Sequence, residues 1–121
     1  MAVTESLRLS LLEQDVLTSF SGLIEKEIPK ALRIIVFGSR ARGDSDEDSD
    51  MDVAVVFDMP LLNKEVWAGI WDIKWRVLES LDAEEFPLSL TLIAMNDLES
   101  RDFGLEDVIK REGRVVWERE N

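Results

Sequence analysis

The sequence predicts an α/β (α+β) domain in which a small mixed β-sheet carries packed helices. Three observations point there. The runs ALRIIVF (Ala31–Phe37), MDVAVVF (Met51–Phe57) and PLSLTLIAM (residues 87–95) have the length and β-branched content of strands. Segments with apolar residues at helical intervals precede, separate and follow them. Helices and strands interleave without a repeat, a low-complexity tract or a Gly/Ser-rich linker, so residues 1–121 read as one domain with a single modest core.

Taken in order, Ser10 and Glu13 have capping-box spacing, and Leu12, Val16, Phe20 and Leu23 then recur on one helical face, which predicts a first helix reaching about Ile28. Residues before Ser10 read as helical extension or loose tail. Residues 31–37 form a mostly buried first strand that runs into Gly38, and residues 40–43 make a short helical turn. Residues 51–57 form a second strand. Asn63 is placed to cap a helix through about Leu81, and residues 87–95 alternate as a third strand. A short helix over 105–111, then Gly113 and the run RVVW, predict a last helix and a small closing strand.

Composition removes whole classes of chemistry. There is no cysteine, which excludes disulfides, thiolate nucleophiles and zinc–cysteine sites, and no histidine, which excludes the usual general base. Carboxylates, hydroxyls, arginine, lysine, backbone amides and a bound metal are what remain. A net charge of −12 opposes direct binding to nucleic acid and suits a basic protein partner. No apolar run is long enough for a membrane span and no basic leader is evident, so a cytoplasmic location is expected.

The chemistry concentrates in GSRARGDSDEDSDMD, residues 38–52. Gly38 and Ser39 follow a buried strand into a turn, a place where a backbone can approach a phosphate closely and a hydroxyl can donate to it. Asp50 and Asp52 are alternate residues at a strand start, with Cα atoms about 6.6 Å apart, so their carboxylates can converge on a hard divalent cation. Asp44, Asp46, Glu47 and Asp48 read as a solvated loop. A calcium loop begun at Asp44 fails, because Ser49 stands where glycine is required and Val55 where glutamate is required.

Gly38-Ser39, ten residues, then Asp50-Met51-Asp52 opening an apolar strand resembles the G-S-x10-D-x-D signature of the DNA polymerase β-like nucleotidyltransferase superfamily. Within it, the chain looks like the minimal nucleotidyltransferase (MNT) proteins, and LEDVIKREGRVVW resembles the end of those proteins. The resemblance implies a polymerase-β-like fold and transfer of AMP from ATP with Mg2+. It implies that Ser39 contacts the terminal phosphates, that Gly38 permits the approach, and that Asp50 and Asp52 are the catalytic, metal-holding carboxylates. Arg40 and Arg42 would neutralise phosphate charge or serve the turn structurally, and Ser49 would orient the carboxylate loop. Ser89 occupies the position where the family carries a third carboxylate, which implies a weaker metal site.

The helix over 63–81 carries two apolar stripes. Val66, Ile70, Ile73, Val77 and Leu81 form one, and Trp67, Trp71, Trp75 and Leu78 form the other. The second either packs under the first helix or docks a partner. Proteins of the MNT type are commonly paired with a HEPN-domain ribonuclease toxin that they neutralise, by AMP transfer to a tyrosine or by binding alone. This chain has no tyrosine of its own, so the acceptor would belong to that partner.

Overall fold

A computed structural model describes residues 7–46 and 48–120. The element order is α1 (Leu11–Glu27), β1 (Ala31–Phe37), α2 (Ser39–Arg42), β2 (Met51–Phe57), α3 (Lys64–Ser80), β3 (Leu88–Ala94), α4 (Met95–Ser100), α5 (Gly104–Glu112) and β4 (Arg114–Glu118). The expected extension or tail before Ser10 falls largely outside the described residues; the part that is described, Leu7 to Leu9, is not helical.

The two long helices begin as their residues dictate. Ser10 Oγ accepts from the Glu13 amide at 3.1 Å while Glu13 Oε1 accepts from the Ser10 amide at 2.8 Å, a reciprocal capping box. Asn63 Oδ1 accepts from the Val66 amide at 2.9 Å and starts α3.

The four strands are ordered β3-β2-β1-β4. β1 pairs antiparallel with both β2 and β4, while β2 pairs parallel with β3, so the sheet is mixed. The parallel step requires a crossover, and α3 supplies it. In β2, residues Met51 and Val53 to Phe57 have no exposed surface, because the strand is central and covered on both faces. One face carries Val53, Val55 and Phe57 against Phe20 and Ile24 of α1 and Ile70 and Ile73 of α3. The other carries Ala54 and Val56 against Leu98 of α4 and Ile109 of α5.

Two features depart from the sequence reading. The third strand ends at Ala94, and Met95 opens α4, which was not anticipated: the apolar run continues without a turn residue to mark the change. Leu78, grouped with the tryptophans, is fully buried, since its position on α3 falls between the solvent-facing stripe and the sheet. Among the described residues no helix is long and apolar enough to cross a membrane.

Candidate active site

The site forms where β1 ends and β2 begins. Antiparallel pairing sets Phe37 opposite Asp52, so the next residue, Gly38, lies against that carboxylate. Gly38 has φ 73° and ψ −147°, a region used in practice only by glycine, and a Cβ there would collide with Asp52 Oδ2. Glycine is therefore required twice, by the backbone angle and by the carboxylate behind it. The chain then makes the single turn of α2, which the Gly43 amide closes by donating to the Ser39 carbonyl at 2.9 Å.

Asp52 is half-buried as the second residue of β2, and Asp50 is exposed, one residue ahead of the strand. The parallel register places Ser89 beside Asp52, at the strand position for which the family resemblance implies a third carboxylate. Burial raises the Asp52 carboxyl above its usual range, and the like charge of Asp50 pushes the same way; Arg40, Arg42 and the Ser89 hydroxyl offset this only in part. A pair of repelling carboxylates, one of them desolvated, is a donor set that a hard cation relieves. Two carboxylates suit Mg2+, which keeps water and substrate phosphates as its other ligands. Among the described residues no third acidic side chain joins them in a metal-binding cluster.

The arginines of the turn are committed to protein partners. Arg40 is buried and donates through Nε to Glu13 Oε2 at 2.5 Å, with its Nη1 left without a partner. The same Glu13 thus caps α1 with one oxygen and holds the turn with the other. Burial works to raise the Glu13 carboxyl, but the Ser10 amide and Arg40 together outweigh it and hold it below the usual carboxylate range. Arg42 is exposed and reaches Asp44 and Glu112, each at 3.1 Å. Ser49 Oγ donates to Asp46 Oδ1 at 3.0 Å and accepts from the Asp46 amide at 3.1 Å, ordering the loop ahead of Asp50. Asp44, Asp46 and Asp48 are exposed on that loop; Glu47 lies outside the described residues.

Trp67, Trp71 and Trp75 lie on α3 at 39%, 39% and 46% exposure, so α1 does not cover them and they face solvent as a stripe. Beneath them is a residue that sequence reasoning missed. Lys74 Nζ donates to the Leu88 carbonyl at 2.9 Å and sits over the rings of Trp71 and Trp75, 4.6 and 5.1 Å from their centres. Only its spacing within the tryptophan stripe could have marked it. Glu13 was singled out as a cap, but nothing in its spacing tied it to Arg40.

The sequence pattern of the nucleotidyltransferase domain matches residues 21–107, well over half of the chain. The chain belongs to the nucleotidyltransferase domain family. That match contains the serine turn, both carboxylates and the first three strands. No curated protein matches the chain. Similar solved structures include a toxin–antitoxin with AMP-PNP, at 24% identity and a TM-score of 0.55, covering 91% of this chain and 76% of that one. A nucleotidyltransferase from Sulfolobus solfataricus is similar at 17% identity and a TM-score of 0.53, covering 93% and 91% of the two chains. A tri-AMPylated Shewanella oneidensis HEPN toxin in complex with MNT antitoxin is similar at 21% identity and a TM-score of 0.52, covering 88% and 73%. At these identities the likeness carries the fold: a mixed sheet with packed helices of the polymerase-β-like nucleotidyltransferase type.

Proposed function

We propose that this nucleotidyltransferase is an MNT antitoxin that transfers AMP from ATP, with Mg2+, to a hydroxyl of a HEPN-domain toxin and so neutralises it. The observation that carries the reading is the packing of Gly38 onto Asp52, which sets the Ser39 turn directly beside the carboxylate pair. Asp50 and Asp52 would hold the metal, which when bound supplies charge neutralisation on the triphosphate. Ser39 would donate to the terminal phosphates. Arg42 would draw that charge as well, exchanging its exposed contacts with Asp44 and Glu112, whereas buried Arg40 would act by holding the turn against α1. The acceptor oxygen forms a bond to the α-phosphorus as the bond to pyrophosphate breaks, and the acceptor proton passes to solvent. Support comes from the similar structures, one with AMP-PNP and one described with an AMPylated toxin. The exposed tryptophan stripe offers a docking face for that partner.

Ser89 beside Asp52 favours a second reading, in which the chain neutralises its partner by binding alone. Mass spectrometry of the toxin after incubation with ATP and Mg2+ separates the two. A gain of AMP that disappears with Asp50→Ala/Asp52→Ala supports transfer. Neutralisation that persists in that variant, with no mass gain on the toxin, supports occlusion.

A further inference from the structure

The strand that carries Ser89 ends the sheet, and one side of it is open. β3 is the outermost strand in the order β3-β2-β1-β4. The Met51 amide donates to the Pro87 carbonyl at 2.8 Å, so residue 87 turns its backbone towards β2. Backbone groups alternate along a strand, so Ser89 and Thr91 also face β2, while Leu88, Leu90 and Leu92 present N–H and C=O to the open side. Leu88 has partners there: its amide donates to the Phe86 carbonyl and its carbonyl accepts from Lys74 Nζ, each at 2.9 Å. Among the described residues no hydrogen bond meets the backbone of Leu90 or Leu92 from that side. An unpaired row of this kind is a template for another extended chain.

Three observations say which chain fits. The register sets Ser89 beside Asp52, so both side chains lie on the sheet face opposite α3. A strand added to β3 would place alternate side chains on that same face, about 10 Å from β2 at a strand spacing of about 4.8 Å. A tyrosine hydroxyl spans much of that gap, whereas a serine hydroxyl stays beside its own strand. Next, Asp82, Glu84 and Glu85 are exposed just ahead of β3, and the net charge is −12, which favours a basic segment and opposes a second copy of this chain. Finally, the Lys74 ammonium that bonds Leu88 also touches the Trp71 and Trp75 rings, so the open edge continues into the exposed tryptophan stripe.

We propose that the open edge of β3 captures an extended, basic-flanked segment of the protein acceptor as an added strand, and that this pairing carries a long hydroxyl side chain to the carboxylate pair. The hydroxyl oxygen then bonds to the α-phosphorus of ATP as the bond to pyrophosphate breaks, and its proton passes to solvent. Main-chain pairing supplies affinity, and the alternation of side chains selects which of them reaches the site. Hydroxyls on helices are passed over, because their backbones have no free groups to offer the edge.

This inference rests on the reading of the site as an AMP transferase, and the test keeps the two apart. The probe is a fluorescein-labelled peptide with a central tyrosine, alternating valine and threonine on either side, and arginine at both ends. Its binding is followed by fluorescence anisotropy, and its mass is measured after incubation with ATP and Mg2+. Two further peptides carry N-methyl groups on alternate amides, one set for each edge of the strand. One of them is expected to bind roughly tenfold more weakly than the parent and the other within about twofold, since only one edge can face β3. Leu90→Pro removes an amide from the open edge and none from the β2 ladder; Leu90→Ala loses the same side chain but keeps the amide. Leu90→Pro is expected to bind the parent peptide roughly tenfold more weakly than Leu90→Ala and to lose AMP transfer to it. If Leu90→Pro does not fold, the methylated pair decides by itself. Equal binding of the two methylated peptides, or a parent peptide that the wild type does not bind, overturns the proposal. A gain of AMP indifferent to methylation and to Leu90→Pro overturns the role of the edge and leaves the transferase reading standing. Edge-dependent binding with no AMP on the peptide overturns the transferase reading and keeps the edge as the docking site of an occluding antitoxin. A wild-type dimer in light scattering that becomes monomeric in Leu90→Pro gives the edge to a second copy and overturns the proposal.

Discussion

Gly38→Ala perturbs the point on which the site is built. Alanine must adopt φ 73° and ψ −147°, a strain of about 1–3 kcal/mol, and its Cβ must displace the Asp52 carboxylate, an overpacking cost of about 1–3 kcal/mol. Together these come to about 2–6 kcal/mol, and for a chain of 121 residues each kcal/mol lowers Tm by roughly 4 °C. Gly43→Ala serves as the control, since Gly43 also has positive φ, at 85°, but open space where its Cβ would go. It should cost only the backbone share, about 1–2 kcal/mol. Calorimetry and urea unfolding of Gly38→Ala, Asp52→Ala and the double variant then isolate the collision as a coupling energy of about 1–3 kcal/mol. The reasoning fails if Gly38→Ala costs no more than Gly43→Ala, or if removing the Asp52 side chain recovers none of the loss.

Glu13→Ala removes a cap and leaves the Arg40 guanidinium buried without a partner, so urea unfolding should show a loss of about 3–5 kcal/mol, whereas Glu13→Leu/Arg40→Met should recover most of it. The pH dependence of stability should carry opposite signs from two carboxyls. Glu13 is held below its ordinary 4.5, so its contribution is present above that value and is lost as pH falls through the range beneath it; Glu13→Gln should flatten that limb. Asp52 is raised above its ordinary 3.8, so its ionised form weakens the fold as pH rises through the range above that value; Asp52→Asn should gain stability at neutral pH, read by Tm. Trp71→Glu should leave Tm within a few degrees, because the residue lies on the exposed face of α3 outside the core, and should abolish co-purification with a HEPN partner if the stripe is the docking face.

Much of the fold is legible because its causes are local. The capping box at Ser10 and Glu13, the Asn63 cap, and the boundaries of β1 and β2 follow from residues within a few positions of one another. The expected third strand, residues 87–95, exceeds β3 by one residue at each end; at the far end Met95 is as apolar as the strand before it and α4 begins without a capping side chain. The period of α3 shows two apolar stripes, but it groups buried Leu78 with the exposed tryptophans and does not say which stripe faces the sheet.

What the sequence determined by itself was chemical possibility. Without histidine or cysteine, only the Gly38-Ser39 turn and the Asp50/Asp52 pair combine into a site, and their spacing announces the family. The tertiary structure alone decided the partnerships across long separations: Glu13 with Arg40, Gly38 against Asp52, and Lys74 on the carbonyl of Leu88. It also decided that Trp67, Trp71 and Trp75 stay in solvent. The physical reason is that periodicity and capping act within one or two turns of chain, whereas these contacts arise only when the strand order β3-β2-β1-β4 closes and the two helical layers settle on its faces.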